Sequence, residues 1–402
     1  MSSSRTLVSS RTSMPALARV FVSLLTRLRH GHVLLLTPDG SQQVFGDPHS
    51  HPGVRLIIND WRACGEILKA GDIGFAEAYR KGWVDTPDLS ALLKLALRNE
   101  DALSQTVHGS ALSRFWYGIL HRLRPNTRSG SRRNIHAHYD LGNAFYALWL
   151  DDTWSYSSAL YHGDHTLDLE TAQYNKYQHI IDSLELKPGM RVLEIGCGWA
   201  GFALHAARQG VHVHAITISQ AQAEKARQRV QAEQLNELVN IELCDYRDVT
   251  GSYDAVVSIE MFEAVGEKYW PGYFRVVHER LKPGGRAVVQ SITIHEDRFD
   301  AYRSSSDFIR QYIFPGGMLP TIPHFVQRAE ESGLTARAMV AFGPDYAETL
   351  RQWSRRFEQQ LPAVRQLGFD ETFIRTWFLY LSYCEAGFDE GRTDVVQFLL
   401  RK

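Results

Sequence analysis

The stretch RVLEIGCGWAG, residues 191–201, decides the fold. It begins as an apolar run of strand length and continues into Gly196, Gly198 and Gly201, which have the G-x-G-x-x-G spacing. Glycines at this spacing let the backbone approach a ligand closely at the N-terminus of the helix that follows. The pattern is weak on its own, so the neighbouring segments must support it.

Similar apolar runs surround this stretch and alternate with helical patterns. This alternation is typical of βαβ units, which form a parallel sheet covered by helices on both faces. We therefore predict an α/β fold with a doubly wound, Rossmann-like sheet. Ligands of such sheets bind at the carboxyl ends of the strands. The other predicted strands are HVHAITI (212–218), VNIEL (239–243), YDAVVSI (253–259) and RAVVQSI (286–292).

The chain outside this sheet predicts two further segments. Residues 1–118 contain short alternating runs followed by helical patterns, which predict a smaller N-terminal α+β accessory module. Residues 119–134 form a basic linker that is rich in arginine and suits phosphate groups, or is simply solvated. Residues 135–402 then form the sheet domain.

Composition narrows the function classes. Lysine plus arginine (44) balances aspartate plus glutamate (45) in the 402 residues. The chain therefore has no overall positive charge that would indicate nucleic-acid binding. Four dispersed cysteines lack metal-binding spacing and indicate a reducing compartment, without a disulfide framework and without a metal.

The N-terminal segment leaves two pairs of alternatives open. Residues 1–38 lack acids, which fits either a transit segment or an uncleaved basic tail. The helical pattern PALARVFVSLLTRLRHG (15–31) fits a helix on a lipid surface or one packed on its own domain. It is too short and too charged to span a membrane.

The cofactor follows from where the acids lie. A nicotinamide enzyme usually places an acid at the end of the second strand, but Thr217-Ile218-Ser219 carries none there. Instead, Glu194 precedes the glycines and Asp245 follows the third strand. This arrangement favours S-adenosylmethionine, an adenosyl ligand without a pyrophosphate.

The ordered motifs of the chain resemble those of the cyclopropane fatty acid synthase family, which includes mycolic acid cyclopropane synthases and related lipid methyltransferases. The resemblance covers residues 135–402 and extends less firmly to the N-terminal module. The sheet is accordingly identified as a methyltransferase sheet. The motifs are HYDLGN (138–143), YSSALY (156–161), LKPGMRVLEIGCGWAG (186–201), TISQAQ (217–222), DYRD (245–248), SIEMFEAVG (258–266), QYIFPGGMLP (311–320) and FGPDY (342–346).

The resemblance implies a reaction and the residues that support it. In this family the double bond of an acyl chain attacks the sulfonium methyl group, and a base then removes a proton from the resulting cation. Loss from the new methyl group closes a cyclopropane, and loss elsewhere leaves a methylene or a shifted alkene. Tyr139, Tyr312 and Phe314 match aromatic positions that line the cation. The implied cofactor contacts, beside Glu194, are Tyr156, Ser157, Gly196, Gly198, Thr217, Gln222, Tyr246 and Arg247.

The implied base is a bound bicarbonate, and the sequence departs from the family at its site. Glu263, Tyr346 and the backbone of Ile292 are kept, but Ser158 replaces a cysteine and Gln290 replaces a histidine. Neither replacement supplies a positive charge.

Glu260 adds a further carboxylate, at a position where well-known cyclopropane synthases have glycine. We hypothesise that it either replaces bicarbonate as the base or repels it. The alternative is that its side chain points away and forms a salt bridge at the rim of the site.

The leading interpretation is a methyltransferase acting on unsaturated acyl chains of phospholipids at a membrane surface. A small-molecule N-methyltransferase and a non-catalytic lipid-binding subunit are the alternatives. The expected location is cytoplasmic, peripheral to the inner face of the membrane. The expected partners are the phospholipid surface, a second copy of the chain that dimerises through the N-terminal module, and a downstream redox enzyme.

Overall fold

A computed structural model describes residues 14–104 and 141–402. The chain divides into two compact units, Met1–Phe115 and Trp116–Lys402, which we describe separately. The predicted basic linker and Tyr139 lie outside the described residues. The predicted domain boundaries therefore stay predictions.

The N-terminal unit combines a small mixed sheet with helices, as expected for an α+β module. Its strands have the order β2-β1-β3-β4, with β1 antiparallel to β2 and parallel to β3. The strands are β1 (His32–Leu36), β2 (Gln42–Gly46), β3 (Gly53–Ile58) and β4 (Val84–Asp85), and the helices are α1 (Ala16–Leu25), α2 (Arg62–Arg80), α3 (Leu89–Arg98) and α4 (Glu100–Ser104).

Two helix boundaries in this unit differ from the sequence pattern. The separate helical patterns WRACGEILKAG (61–71) and GFAEAYRKG (74–82) are joined as α2, which kinks at Gly71, where φ is 59°. The single helical pattern DLSALLKLALRNEDAL (88–103) is instead broken at Asn99 into α3 and α4. The Asn99 side chain accepts hydrogen bonds from the N–H groups of Arg29 and His30, and it donates to Leu95 O. A buried asparagine that bonds backbone groups in this way competes with helical hydrogen bonding.

The second unit contains a seven-stranded sheet. All five predicted strands are present, four of them within one residue of their predicted bounds. The fifth, predicted at 286–292, spans Leu281–Ile294. Two antiparallel strands near the C-terminus were not predicted. The strands are β5 (Arg191–Ile195), β6 (His212–Thr217), β7 (Val239–Leu243), β8 (Tyr253–Ile259), β9 (Leu281–Ile294), β10 (Thr335–Ala341) and β11 (Thr393–Arg401).

Helices connect and cover these strands. Side-chain caps fix several helix starts: Asp168 accepts from Thr171 N at the start of α6, and Ser219 accepts from Gln222 N at the start of α8. The helices are α5 (Asn143–Tyr146), α6 (Leu169–Leu184), α7 (Gly201–Ala207), α8 (Gln220–Ala232), α9 (Trp270–Arg280), α10 (Phe299–Ser304), α11 (Ile322–Glu330), α12 (Gly343–Gln359), α13 (Leu361–Gln366) and α14 (Glu371–Asp389), with a π-helix at Ile309–Ile313.

The order of the strands in the seven-stranded sheet indicates where a ligand binds. The order is β10-β11-β9-β8-β5-β6-β7, and β5 pairs in parallel with both β6 and β8. The direction of winding therefore reverses between β5 and β8, which makes this the topological switch point where a ligand is expected. Glu194 lies near the end of β5, and Glu260 follows β8 directly. The fold class is confirmed.

No helix among residues 14–104 and 141–402 is both long enough and apolar enough to cross a membrane.

The close approach at Gly201 generates a stability prediction. A Cβ at Gly201 would lie 2.4 Å from the Tyr177 hydroxyl and 3.0 Å from Thr153 O. We expect Gly201→Ala to lower the free energy of unfolding by about 1 to 3 kcal/mol through overpacking. Gly272 in α9 is the matched control, since a Cβ there meets nothing within 4 Å. Gly272→Ala should be neutral or stabilise by roughly 0.5 to 1 kcal/mol. Urea unfolding of both variants checks this, and equal stabilities would contradict it.

Candidate active site

The backbone of Glu260 is held in an unusual conformation where β8 ends. Its φ is 50°, in the left-handed region that disfavours residues with a side chain. Its N–H donates to Gln290 O on β9 at 2.8 Å, so the neighbouring strand fixes this turn. Strained backbone of this kind persists where surrounding contacts impose it, and it clusters at functional sites.

The Glu260 carboxylate points inward and accepts three hydrogen bonds. Oε1 accepts from the Ser158 N–H and from the Gln290 amide, both at 2.8 Å. Oε2 accepts from the Tyr346 hydroxyl at 2.7 Å. Burial raises the pKa of Tyr346, and the nearby Glu260 raises it further, so the phenol stays protonated and donates. The rim salt bridge considered for Glu260 is absent from this geometry.

Ser158 contacts Glu260 through its backbone and not through its side chain. The backbone N–H is the group that contacts Glu260, while the hydroxyl donates to Ala159 O at 2.9 Å. The side chain can therefore differ from the family cysteine without removing this donor.

Glu263 forms the second carboxylate of the site and has a different environment. Its Oε1 accepts from the Ile292 N–H and from the Ser291 hydroxyl. Its Oε2 is buried, and no hydrogen-bond partner for it is found among the described residues. Burial and the nearby Glu260 charge raise the pKa of Glu263 to about 8. Glu263 is therefore mostly protonated near pH 7. Glu260, by contrast, accepts three hydrogen bonds, as an ionised carboxylate does.

Lys176 supplies a buried positive charge beside these acids. Its side chain is wholly buried. Burial raises the pKa of Glu260 above its ordinary value, and the charge of Lys176 is the largest effect that opposes this rise. Burial lowers the pKa of Lys176 itself to about 8, opposed by Glu260, Asp151 and Glu194. The sequence analysis did not single out this lysine. Its position on the apolar face of α6, beside Tyr177, Ile180 and Leu184, was the available signal.

The glycine loop forms a cradle at the end of β5. Gly196 has a φ of 82°, and a Cβ there would lie 2.8 Å from Met261 Cγ. Gly198 has a φ of 53° and faces open space. Glu194 is buried, and its Oε2 has no hydrogen-bond partner among the described residues. An unpartnered buried oxygen beside a glycine cradle fits a ligand that offers N–H or O–H donors, as S-adenosylmethionine does.

Four further predicted cofactor residues lie at or after the ends of the next two strands: Thr217, Gln222, Tyr246 and Arg247. The Thr217 hydroxyl donates to Gln222 Oε1 at 2.9 Å, which joins the end of β6 to α8. After β7, Arg247 donates two hydrogen bonds to Asp245, from Nε at 2.8 Å and from the Nη2 at 2.6 Å. Tyr246 packs edge-on against Tyr273, with ring centroids 5.6 Å apart. These residues therefore share the carboxyl edge of the sheet with Glu194.

Aromatic side chains form a wall next to the carboxylates. Tyr156 packs on Trp353, with ring centroids 5.3 Å apart, and donates its hydroxyl hydrogen to the Tyr380 oxygen at 2.8 Å. Phe314, after the π-helix, packs edge-on to Tyr380 at 6.0 Å. Tyr380 was not predicted, because one tyrosine within the aromatic pattern of α14 has no distinguishing sequence signal.

Of the two other tyrosines that were predicted to line the cation, the structure describes Tyr312 but not Tyr139. Tyr312 lies in the π-helix and packs on Phe308, with ring centroids 5.6 Å apart. The segment after the π-helix contacts Glu263, because Met318 N donates to Glu263 O at 2.9 Å. Tyr139 lies outside the described residues, and its role stays a prediction.

Comparison with known proteins places this geometry in a family. The family model for mycolic acid cyclopropane synthetase matches residues 126–398. The chain belongs to the mycolic acid cyclopropane synthetase family. A tuberculostearic acid methyltransferase of Mycobacterium tuberculosis is 38% identical over 389 residues, covering 92% of this chain and 88% of the relative.

Two further relatives support the assignment. A cyclopropane-fatty-acyl-phospholipid synthase of Escherichia coli is 34% identical, covering 80% of this chain and 81% of the relative. A crystal structure of a mycolic acid cyclopropane synthase complexed with SAH and CTAB has a TM-score of 0.63 and 31% identity, covering 67% of this chain and 98% of that one. The protein is thus an S-adenosylmethionine-dependent methyltransferase of a lipid-modifying family, with S-adenosylmethionine as co-substrate.

The buried Glu194 generates a prediction about pH. Burial raises the pKa of Glu194 to about 8 from an ordinary 4.5, so the folded state binds more protons than the unfolded state between these values. The free energy of unfolding should therefore fall as pH rises from about 4.5 to 8. Glu194→Gln removes this titration and should flatten the dependence. Urea unfolding across this range checks it, with Glu296→Gln on the surface as control. An unchanged slope in Glu194→Gln would contradict the assignment.

Proposed function

We propose that the enzyme transfers a methyl(ene) group to a cis double bond of an unsaturated phospholipid acyl chain, with the Glu260 carboxylate as the base. The observation that carries this proposal is the environment of Glu260. Three donors and a buried lysine surround a carboxylate at the switch point of the sheet. Burial raises the pKa of Glu260, which suits a group that has to accept a proton, while the donors and the lysine charge oppose that rise and favour the ionised form.

The co-substrate supplies one element of the chemistry. S-adenosylmethionine, when bound, provides an electrophilic methyl group to one carbon of the double bond, and the electrons of the broken C–S bond remain on sulfur. The glycine cradle, Glu194 and the side chains after β6 and β7 are the groups that would hold it. The other carbon of the former double bond is then electron-deficient, and the cation has to lose a proton from the new methyl group or from a neighbouring chain carbon.

The reaction balances when the cation loses one proton, and there are three alternative positions or routes for that loss. Loss from the new methyl group lets its C–H electrons close a cyclopropane. A hydride shift along the chain followed by loss from the methyl group gives a methylene. Loss from a neighbouring chain carbon gives a methyl-branched alkene. The C–H bond nearest the base decides among them, so a base fixed to the protein also controls the product.

Glu260 has one position left to accept that proton. A carboxylate offers about four lone-pair sites, two on each oxygen. Ser158 and Gln290 use both sites of Oε1, and Tyr346 uses one of Oε2. The remaining lone pair of Oε2 is the acceptor in this proposal. Glu263 is neutral near pH 7 and cannot compete for the proton.

The same donors would hold a bicarbonate ion if Glu260 were absent. In the structure, the Glu260 carboxylate oxygens accept from these donors, which are the Ser158 N–H, the Gln290 amide and the Tyr346 hydroxyl. A second anion beside this carboxylate would meet like-charge repulsion in a site of low dielectric. We therefore propose that Glu260 replaces bicarbonate.

The aromatic wall supports the electron-deficient chain. Aromatic faces attract positive charge without trapping it as a nucleophile would. Tyr380 contacts both Tyr156 and Phe314, so these three rings form one surface that reaches the segment after the π-helix. Tyr312 and Tyr139 would complete the lining as predicted.

The proposed substrate also suggests where the enzyme works and with which partners. An acyl chain within a phospholipid is presented by a membrane, so we propose that the enzyme works in the cytoplasm at the inner membrane face. A methylene or alkene product would need a separate reductase that adds hydride and a proton to become a saturated branched chain. Homodimerisation through the N-terminal module remains part of this proposal.

The activity test uses purified protein, S-adenosylmethionine and vesicles of cis-monounsaturated phospholipid. Fatty acid methyl esters analysed by mass spectrometry should gain 14 mass units, the mass of one CH2. Saturated phospholipid vesicles and simple secondary amines are the control substrates and should stay unmodified. Methylation of the amines with no change in the lipid would overturn the lipid proposal in favour of an N-methyltransferase.

The base role predicts the effect of an isosteric change. Glu260→Gln keeps the size of the side chain but removes the negative charge, and we expect kcat to fall about 100-fold or more. Binding of S-adenosylmethionine, measured by calorimetry, should change little, because Glu260 is not among the cofactor residues. Turnover equal to that of the unaltered enzyme would rule out Glu260 as the base.

Glu260→Gly provides the complementary experiment. It removes the side chain and its left-handed strain, leaving the three donors free to bind a small anion. We expect this variant to be inactive alone and to regain activity at least tenfold with added formate or bicarbonate. Glu260→Gln should not respond, since its amide still fills the space. A folded Glu260→Gly variant that ignores both anions would contradict the proposed anion cage.

A further inference from the structure

Helix α6 carries three polar residues at three-residue spacing on or beside its buried face. Gln173 and Lys176 are wholly buried, and His179 is partly buried. Neighbours at this spacing lie next to each other on a helix surface. Buried polar groups persist where they are hydrogen-bonded, so the partners of these three residues show what they hold.

The first two residues hold the segment that precedes Ser158. The Gln173 amide donates to Ser157 O at 2.9 Å, and Lys176 Nζ donates to Ser157 Oγ at 2.6 Å. Ser157 is thus held through both its backbone and its side chain. The next residue in the chain is Ser158, whose N–H donates to Glu260 Oε1.

His179 begins a second chain of hydrogen bonds, which runs through two side-chain amides and also ends at Glu260 Oε1. His179 Nδ1 lies 2.6 Å from Gln397 Oε1, and Gln397 Nε2 donates to Gln290 Oε1 at 3.0 Å. Gln290 then donates to Glu260 Oε1 at 2.8 Å. Gln290 and Gln397 are directly paired across β9 and β11, and both are wholly buried.

The charge of Glu260 determines the direction of every bond in this chain. An ionised carboxylate can only accept, so Gln290 must present its NH2 group to Glu260 and its carbonyl to Gln397. Gln397 must then present its NH2 group to Gln290 and its carbonyl to His179. The proton of His179 must therefore be on Nδ1, where it can donate.

We propose that Gln173, Lys176 and His179 are positioning residues that hold both donors to Glu260 Oε1, the Ser158 N–H through Ser157 and the Gln290 amide through Gln397. This inference rests on the proposed role of Glu260 as the base. It assigns α6 a function in proton transfer although none of the three residues touches the reacting atoms.

The charges around these groups set the expected pH behaviour. Glu260 is faced by Lys176 from α6, by Glu263 from the turn after β8 and by Tyr346 from α12. Lys176 is faced by Glu260, Asp151 and Glu194. Since Lys176 is the cation that favours the ionised Glu260, its removal should raise the pH needed to ionise the base.

A pair of His179 variants tests the amide chain. His179→Leu removes the donor to Gln397 and frees both amides to rotate, so we expect kcat to fall about tenfold with little change in KM for either substrate. His179→Asn keeps an N–H near the Nδ1 position and should restore most of the activity. Gln178→Leu on the same helix is the matched control, because Gln178 has no hydrogen bond to Ser157 or to the Gln397–Gln290 amides. This variant should behave as the unaltered enzyme.

A spectroscopic measurement tests the direction of the chain without turnover. Nitrogen-15 NMR of the protein without co-substrate should show His179 with a proton on Nδ1, and the signal is assigned by its loss in His179→Asn. Glu260→Gln removes the charge that orders the amides and should shift this signal. A proton on Nε2 alone in the unaltered protein would overturn the proposed chain.

The Lys176→Met variant tests the second support. Methionine fills the same space without charge, and the acidic limb of the kcat profile should move about one pH unit or more upward. Activity at high pH should then recover toward that of the unaltered enzyme, which a merely misfolded protein would not show. Circular dichroism and cofactor binding at each pH confirm the folded state.

The outcomes separate this inference from the proposed function. If Glu260→Gln retains full turnover, the base assignment fails, whatever the α6 variants do. If Glu260→Gln is inactive while folded His179→Leu and Lys176→Met keep an unaltered kcat and pH profile, the base assignment stands and the inference about α6 is wrong.

Discussion

Glu260 places a carboxylate inside the protein, where it can carry a negative charge only if donors or cations surround it. Its three hydrogen bonds come from a loop, a neighbouring strand and a helix that are distant in sequence: Ser158, Gln290 and Tyr346. Satisfying one carboxylate therefore fixes the relative positions of three segments. The site depends on this single requirement.

The same requirement explains features that would otherwise be unfavourable. Glu260 adopts a left-handed backbone conformation, which costs about 1 to 2 kcal/mol for a residue with a side chain. Gln290, Gln397 and Lys176 are polar residues placed where apolar ones would pack more easily. Each has a partner that leads back to Glu260, so the energetic penalties are concentrated around one functional group. Glu263, with an oxygen that no described residue bonds, contributes an acid that is neutral near pH 7.

Local sequence signals predicted the sheet but not its far edge. The five strands β5–β9 are apolar runs bounded by turns, and the structure confirms them. Strands β10 and β11 were missed. TARAMVA contains three alanines and few of the β-branched and aromatic residues that favour strands. TDVVQFLLR follows a long helix without the glycine-rich pattern that marks a βαβ unit. The family, the fold class, the enzyme class and the co-substrate are confirmed. The domain boundaries, the membrane surface and the dimer stay predictions.

The sequence suggested the carboxylate pair and the neighbouring Ser158, Gln290 and Tyr346, but not the residues that position these donors. Glu260 was noticeable because an acid follows an apolar strand where related enzymes have glycine. Gln173 and Lys176 occupy positions that the helical period of α6 buries, which was a usable signal, since polar residues are rarely buried without a partner. Gln397 had no such signal. Its partner Gln290 is set by the register between β9 and β11, which depends on tertiary structure.

The central claim is that the protein supplies its own base. The most direct measurement is the initial rate of lipid methylation in buffer freed of carbon dioxide, compared with the rate after bicarbonate is added back. If Glu260 is the base, the two rates will be equal and the products identical. A rate that falls on removal and recovers in proportion to added bicarbonate would contradict the account and assign the proton to a bound anion.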